Sequence, residues 1–339
     1  NDLLREVDLC EEVARIVGYD NISSATQFSG TFTSFTEDEQ TLDFSIKTTL
    51  QASGFNEHYS NSLIGENYTE HFAGGAAVKI KNALSQDMEF IRNSILPGLI
   101  MAASYNEKRQ EKGFKLFEIG AIHNYSKKSK TQTKEKFHLG LLWYGKPGMH
   151  WRQYEDRDIF RCKGEINQIL NTMGLMKIRF KTGHAQGFET ALKIYYEKTQ
   201  LGILGIPSQN LLNEYDINQA PVICDISMAS LRDIWQYRNL SYKAPPQYPS
   251  VNRDIALQVA RNVPSEDLFH TIWNEGGDIL SDVTLFDVYQ AEDVGEENKS
   301  LAFSLTFQSR SSTLKDSEVD AVVQTILNSL YKTHEAIQR

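Results

Sequence analysis

The side chains with the clearest capacity for chemistry lie near the end of the chain, in the runs LFDVYQ and KSLAF. Alternation through Val283–Tyr289 puts Asp287 and Tyr289 on one face of a strand together with Leu285, and Phe286 and Val288 on the other. The same period through Ser300–Gln308 sends Leu301, Phe303, Leu305 and Phe307 inward and Ser300, Ala302, Ser304 and Thr306 outward. A face with a Tyr ring beside a carboxylate and hydroxyls offers a stacking platform and hydrogen-bond partners. Splayed-out bases of single-stranded RNA need those groups. A solvated sheet face with one exposed Tyr accounts for the same residues, and the aromatic RNP signatures of a typical RRM are absent. Elsewhere the histidines are scattered, with no HxxxH or HExxH, and neither GxSxG nor a P-loop occurs. Cys10, Cys162 and Cys224 are far apart without a CxxC, which argues against structural zinc and for reduced, buried thiols.

An open face of this kind needs strands and helices to hold it. Val251–Val259 alternates, with Ile255, Leu257 and Val259 on one side. Ser265 can cap a helix whose first turn carries Glu266 and Asp267, whose stripe is Leu268, Ile272 and Trp273, and which Gly276 and Gly277 end. After the next two strands, Val319, Val322, Val323, Ile326, Leu327 and Leu330 recur at helical spacing. A short strand at Ala336–Arg339 would close the order βαββαβ, a ferredoxin-like sandwich with one face covered by helices and one open.

The whole chain has 339 residues, enough for two or three domains. Residues 1–22 read as helix, 36–240 as a mixed α+β block, 241–247 as a proline-bearing linker, and 248–339 as the ferredoxin-like module. No run of about 18 apolar residues occurs, so no membrane span is expected. The chain opens without Met or a secretory leader, as expected of a cytoplasmic protein whose sequence starts inside a larger one. Net charge is −9, and residues 245–339 hold fifteen acids against seven Lys and Arg. Such a module attracts phosphates weakly, and no DNA partner is expected.

Three colinear stretches carry a resemblance to a known family. SVNRDIAL, LFDVYQ and KSLAFSLTFQSRSSTL resemble the anticodon-binding module that closes the β chain of bacterial-type phenylalanyl-tRNA synthetase. In the middle block, the helix expected at Glu39–Ala52 followed by GFNEHYSNSL resembles motif 1 of class II synthetases. AVKIKNALSQDMEFIRNSILPGLIMAASYN resembles the β-chain run before motif 2, and GFKLFEIGAIH its motif 2 strand. DLLREVDLCEEVARIVGYDNI resembles the end of the family's upstream helical domain.

The resemblance implies an α+β architecture: a class II synthetase-like antiparallel sheet domain, then a ferredoxin-like βαββαβ domain. It implies that Asp287, Tyr289 and Ser300 meet the tRNA anticodon, Tyr289 stacking on a base and the other two bonding base edges. It implies Mg²⁺ ligands at Asp2, Asp8, Glu11 and Glu12. The last three share one helical face, and carboxylate oxygens suit this ion. A capping box opened by Asp8 and closed by Glu11 explains the same spacing, and the two roles can coexist.

The chemistry of adenylate formation is missing. Class II motif 2 uses an Arg on the α-phosphate. Phe114–His123 contains none, with Lys115 its one basic residue beside His123 and Glu118 remaining. After residue 180 the strand LGILGIPSQNLL carries glycines, but no Arg follows before Arg232. The implied function is a non-catalytic fragment that scaffolds a catalytic α subunit, which would bind ATP, in an (αβ)₂ tetramer charging tRNAPhe. The family's editing domain is not in these residues. The basic run SKKSKTQTKEK reads as a hairpin tip, with a tRNA contact as the alternative. WRQYEDRDIFRCKGEI reads as a structural strand-to-helix segment, with Phe160 near the helix start.

Overall fold

The computed structural model describes residues 3–25, 27, 29–30, 39–72, 75–146, 158–176, 178–237, 242, 244–290 and 297–339. The chain divides into two units, Asn1–Lys47 and Thr48–Arg339. In the first, α1 (Glu6–Val17) is followed by a 3₁₀ turn at Tyr19–Asn21. Helix α2 (Glu39–Ala52) crosses the division, and its stripe Leu42, Ile46 and Leu50, one turn apart, is buried.

The second unit holds a seven-stranded sheet. Its strands are β1 (Asn56–Glu57), β5 (Gly113–Tyr125), β6 (Thr133–Gly145), β7 (Ile178–Thr182), β8 (Phe188–Tyr196), β9 (Thr199–Pro207) and β10 (Val222–Ser227). The three short strands β2 (Leu63–Ile64), β3 (Val78–Lys79) and β4 (Phe90–Ile91) form a separate small sheet. The large sheet runs β1-β5-β6-β10-β9-β8-β7. All of its pairs are antiparallel except β1 with β5. Helices α3 (Leu96–Glu107), α4 (Ile159–Thr172), α5 (Gln209–Glu214) and α6 (Met228–Gln236) complete the block. The tip of the β5–β6 hairpin is the basic run expected there, closed where Tyr125 pairs with Thr133.

Alternation assigns the two faces of this sheet. On β5 and β6 the even-numbered residues Ile122, Leu142 and Tyr144 lie with α3 residues Leu96, Leu99, Ile100 and Ala103 in one core. We refer to this as the front face. Odd-numbered Lys115 and Trp143 reach α4 at the back, where Glu165 Oε2 accepts from Lys115 Nζ (2.7 Å) and Trp143 Nε1 (2.9 Å). Phe55 packs edge-on against Trp143, with ring centroids 5.3 Å apart.

The last module contains β11 (Val251–Ala260), α7 (Ser265–Glu275), β12 (Leu280–Tyr289), β13 (Asn298–Phe307), α8 (Asp316–His334) and β14 (Ile337–Gln338). Its sheet order is β12-β13-β11-β14, as the split βαβ pattern requires. Ile255, Leu257, Val259, Leu301, Phe303, Leu305 and Phe307 bury one face against Leu268, Ile272, Val319, Ile326 and Leu330 of the two helices. Arg253 ties β11 to α8 through Asp316 (2.7 Å) and Asp320 (3.1 Å), so the Arg of SVNRDIAL is spent on packing.

Three expectations need correction. Trp273 is 44% exposed instead of buried in the α7 stripe, and stacks on Phe269 at 6.0 Å. The residue capping α7 is Pro264, and Ser265 begins the helix. Cys10 is exposed, while Cys162 and Cys224 are buried and free.

Candidate nucleic-acid interface

The uncovered face of the last sheet follows from register. Cross-strand partners share a face. Tyr289 pairs with Ser300, Asp287 with Ala302, Thr284 with Ser304, and Asp282 with Thr306. On the far side of β13, Gln258 pairs with Ser300 and Asp254 with Ser304. Asp287, Tyr289 and Ser300 therefore lie on one open face. The route differs from simple alternation. A register shift between Leu285 and Asp287 inserts Phe286 as an extra residue. Leu285, opposite Phe303, consequently packs on the core instead of the open face, and Phe286 is 56% exposed instead of covered. Val288 keeps the core-side register opposite Leu301 but is 52% exposed near the strand end. The bulge lets two hydrophobic residues precede the Asp-Val-Tyr run without turning Asp287 inward.

Exposure grades the three residues. Tyr289 is 42% exposed, so much of its ring area is available for stacking, whereas Ser300 is only 7% exposed between Tyr289 and Gln258. Arg339 was not anticipated. Its backbone N–H donates to the Ala256 carbonyl (2.9 Å), continuing the β14 edge, and its guanidinium carbon lies 5.8 Å from the Tyr289 ring centroid. This cation–π pair places a positive charge on the open face of an acidic module. Nothing in the local sequence pattern flags Arg339, because the contact spans the sheet from one edge strand to the other.

The front face of the large sheet lacks room over β5 and β6. The front residues of the strand expected at motif 2 are Phe114, Leu116, Glu118, Gly120 and Ile122, none of them cationic. The cation that reaches this face, Arg92, is spent locally. Its Nη1 donates to Glu118 (2.6 Å) and Ser60 (2.7 Å), and its Nε to the Ala121 carbonyl (2.9 Å). Ser60 Oγ donates to the second Glu118 oxygen (2.6 Å), and both charged side chains are almost fully buried. Gly120 is required because a Cβ there would collide with the Arg92 guanidinium. A Cβ on Gly140 would stand 2.7 Å from Leu99 and 2.8 Å from Ile95, so α3 packs directly on bare backbone at that point. Arg232, the first Arg after residue 180, lies within α6 on a helix and not on a strand of the sheet.

The acidic helix opens differently from the sequence expectation. Arg5, not Asp8, is the N-cap of α1. Asp8 occupies the third helical position and reaches back, its Oδ2 accepting from the backbone N–H of Arg5 (2.9 Å) and Leu4 (3.1 Å) and its Oδ1 from the Arg5 guanidinium (3.1 Å). The Arg5 backbone bond, the Arg5 guanidinium and the Leu4 bond hold its carboxyl below the usual carboxylate range. Glu12 pairs with Arg15 at 2.5 Å, and Glu11 is exposed. Among the described residues no group of three or more His, Cys, Asp or Glu gathers in a metal-ligating arrangement, and Asp2 lies outside the described residues. With Asp8 and Glu12 already engaged, the described carboxylates do not form a cradle for Mg²⁺.

An antiparallel synthetase-type sheet with its front packed by a helix, joined to a ferredoxin fold with one bare face, defines the class of protein. Sequence comparison agrees on both parts. Residues 25–228 match the phenylalanyl-tRNA synthetase beta chain CLM domain, and residues 246–339 match the ferredoxin-fold anticodon binding domain. The chain belongs to the phenylalanyl-tRNA synthetase β chain family. It is 29% identical over 335 residues to the phenylalanine–tRNA ligase beta subunit of Staphylococcus saprophyticus, and 31% identical over 348 residues to that of Clostridium tetani. Each match covers 97% of this chain and 42% of the relative, so the chain spans less than half the length of these relatives. Pyrrolysyl-tRNA synthetase from Desulfitobacterium hafniense aligns with a TM-score of 0.47 and 15% identity over 60% of this chain and 74% of its own. No helix among the described residues is long and apolar enough to cross a membrane.

Proposed function

We propose that this chain is a non-catalytic portion of the β subunit of a cytoplasmic phenylalanine–tRNA ligase. It scaffolds the catalytic α subunit and contacts the anticodon of tRNAPhe. The observation that carries the first half is the front face of β5 and β6. There Arg92 is locked to Glu118, and Ile95 and Leu99 press on Gly140. Stabilising a pentavalent phosphate needs preorganised cations aimed at open space, and this face offers a neutralised pair under a packed helix. ATP is then bound by α. The second half rests on Tyr289, half-exposed on an open sheet with Asp287 and Ser300 in register beside it. Tyr289 stacks on an anticodon base while the carboxylate and hydroxyl accept or donate at base edges. Phosphate attraction comes from elsewhere in an assembly of (αβ)₂ form, since this module is acidic.

The domain limits that accompany this reading are 1–22 for the tail of a helical domain, 36–240 for the synthetase-like domain, 241–247 for the linker and 248–339 for the anticodon module. A Mg²⁺ site at Asp2, Asp8, Glu11 and Glu12 would have to displace the Asp8 cap and the Glu12–Arg15 pair, and the function proposed here routes no step through it. The test is phenylalanine-dependent pyrophosphate exchange. The chain alone should give none, and addition of α should restore it; exchange by the isolated chain would refute the assignment.

A further inference from the structure

Beyond the end of α3, the front face of the large sheet is not filled. A cavity of about 350 Å³ lies there, walled by residues of β5, β6, β8, β9 and β10 and by the segment leading into α3. Two features of its wall are unbalanced. Asn93 is 1% exposed, and its Nδ2 donates to the carbonyls of Thr69 (2.7 Å) and Gly75 (2.8 Å). Both amide hydrogens are thereby spent and the orientation is fixed, yet the Oδ1 has no donor. Asn124 Oδ1 is likewise buried without a partner, and a Cβ on Gly75 would stand 3.1 Å from it, so the two orphan oxygens flank the same residue. A buried acceptor without a donor is costly, and where it lines a cavity it asks for a ligand with N–H groups.

The opposite imbalance comes from the strands. Lys136 of β6 and Lys193 of β8 also line the cavity, both on the front face by register, and neither forms an ion pair with a described residue. Between them His138 Nδ1 and Asp225 Oδ1 are 2.6 Å apart, so that carboxylate is already engaged. An anion alone would leave the two asparagine oxygens bare, and a cation alone would leave the two lysines bare. Phe72 and Phe188 add an apolar wall, their rings edge-on at 5.4 Å.

We propose that this cavity binds a small zwitterion, an α-amino acid with an apolar side chain. Its ammonium group donates to Asn93 Oδ1 and Asn124 Oδ1, its carboxylate meets Lys136 and Lys193, and its side chain lies against Phe72 and Phe188. The volume suits such a molecule, and the site is independent of the anticodon face.

Calorimetry on the 339-residue chain tests this with L-leucine, L-leucinamide and N-acetyl-L-leucine as probes. Leucine should bind saturably, and each blocked derivative, lacking the anionic or the cationic end, should bind at least tenfold more weakly. The Lys136→Met, Lys193→Met double variant should lose at least tenfold for leucine with an unchanged melting temperature. If that variant melts early, the blocked derivatives on the unaltered chain still decide. Equal binding of all three probes, no leucine binding up to its solubility limit, or inorganic phosphate binding as tightly as leucine would each overturn the proposal.

Discussion

At Tyr289 a single ring is the part of the open face best placed to take a base. Its 42% exposure leaves stacking area, while Arg339 holds the ring from the side. Tyr289→Ala in the full enzyme should weaken tRNAPhe binding by about 1–3 kcal/mol, the worth of one stacked base. A filter-binding series with an anticodon-swapped tRNA is the control, and equal loss for both RNAs would remove Tyr289 from anticodon reading. Glu118 belongs to the opposite kind of residue, one spent on structure. Glu118→Gln leaves the Arg92 guanidinium buried without its counter-charge, a change that costs about 3–5 kcal/mol for a buried pair. Denaturant titration of the purified variant should show that loss, and a midpoint within error of the parent would mean that Ser60 and the Ala121 carbonyl suffice for Arg92.

Helix α3 is the element on which the front face depends, and its far end is held by one carboxylate. Glu107 accepts from the Tyr144 hydroxyl, from the backbone N–H of Asn218 (2.9 Å) and Gln219 (3.0 Å), and from Asn218 Nδ2 (3.1 Å). Burial pushes its pKa up, but these hydrogen bonds together outweigh it, and the carboxyl titrates below its ordinary 4.5. Burial and the Glu107 carboxylate push the Tyr144 hydroxyl the other way, well above the usual phenol range. A folded-state pKa below the unfolded one gives stability that is complete above the unfolded value and is lost as pH falls through the folded one. Stability from this contact should therefore be intact at neutral pH and disappear on acidification below the ordinary carboxylate range. Glu107→Gln should cost about 1–3 kcal/mol at pH 7, and the difference from the parent should shrink on acidification. Urea melts at several pH values measure it, and a constant difference would place the effect elsewhere.

For the molecule as a whole, one face of each sheet is buried and the other decides what the sheet can do. The large sheet is packed at the front by α3 and at the back by α4, which leaves assembly as its work, together with the cavity beyond α3. The small sheet has helices on one side and none on the other, which leaves recognition. The pyrophosphate exchange and leucine titrations described above act at this scale, because each depends on which face remains open. The negative charge of residues 245–339 fits a reader of a few bases and not an electrostatic anchor.

The sequence by itself determined the order of elements in the last module, because period-2 and period-3.6 patterns are local and strong there. It also determined that no arginine stands on the strand Phe114–His123, since that is a matter of composition. It placed Asp287 and Tyr289 on one face, but took Leu285 with them, because a bulge at Phe286 changes the parity and strand periodicity carries no record of an inserted residue. Spacing made Asp8 a cap in the wrong position, one turn removed from the actual N-cap Arg5. Only the tertiary structure brought Arg92 onto Glu118, Leu99 onto Gly140 and Arg339 onto Tyr289, contacts between residues 26 or more positions apart. Local pattern encodes which side of an element is apolar. Which distant side chain meets that side, and how much space is left over, is set by how the elements pack.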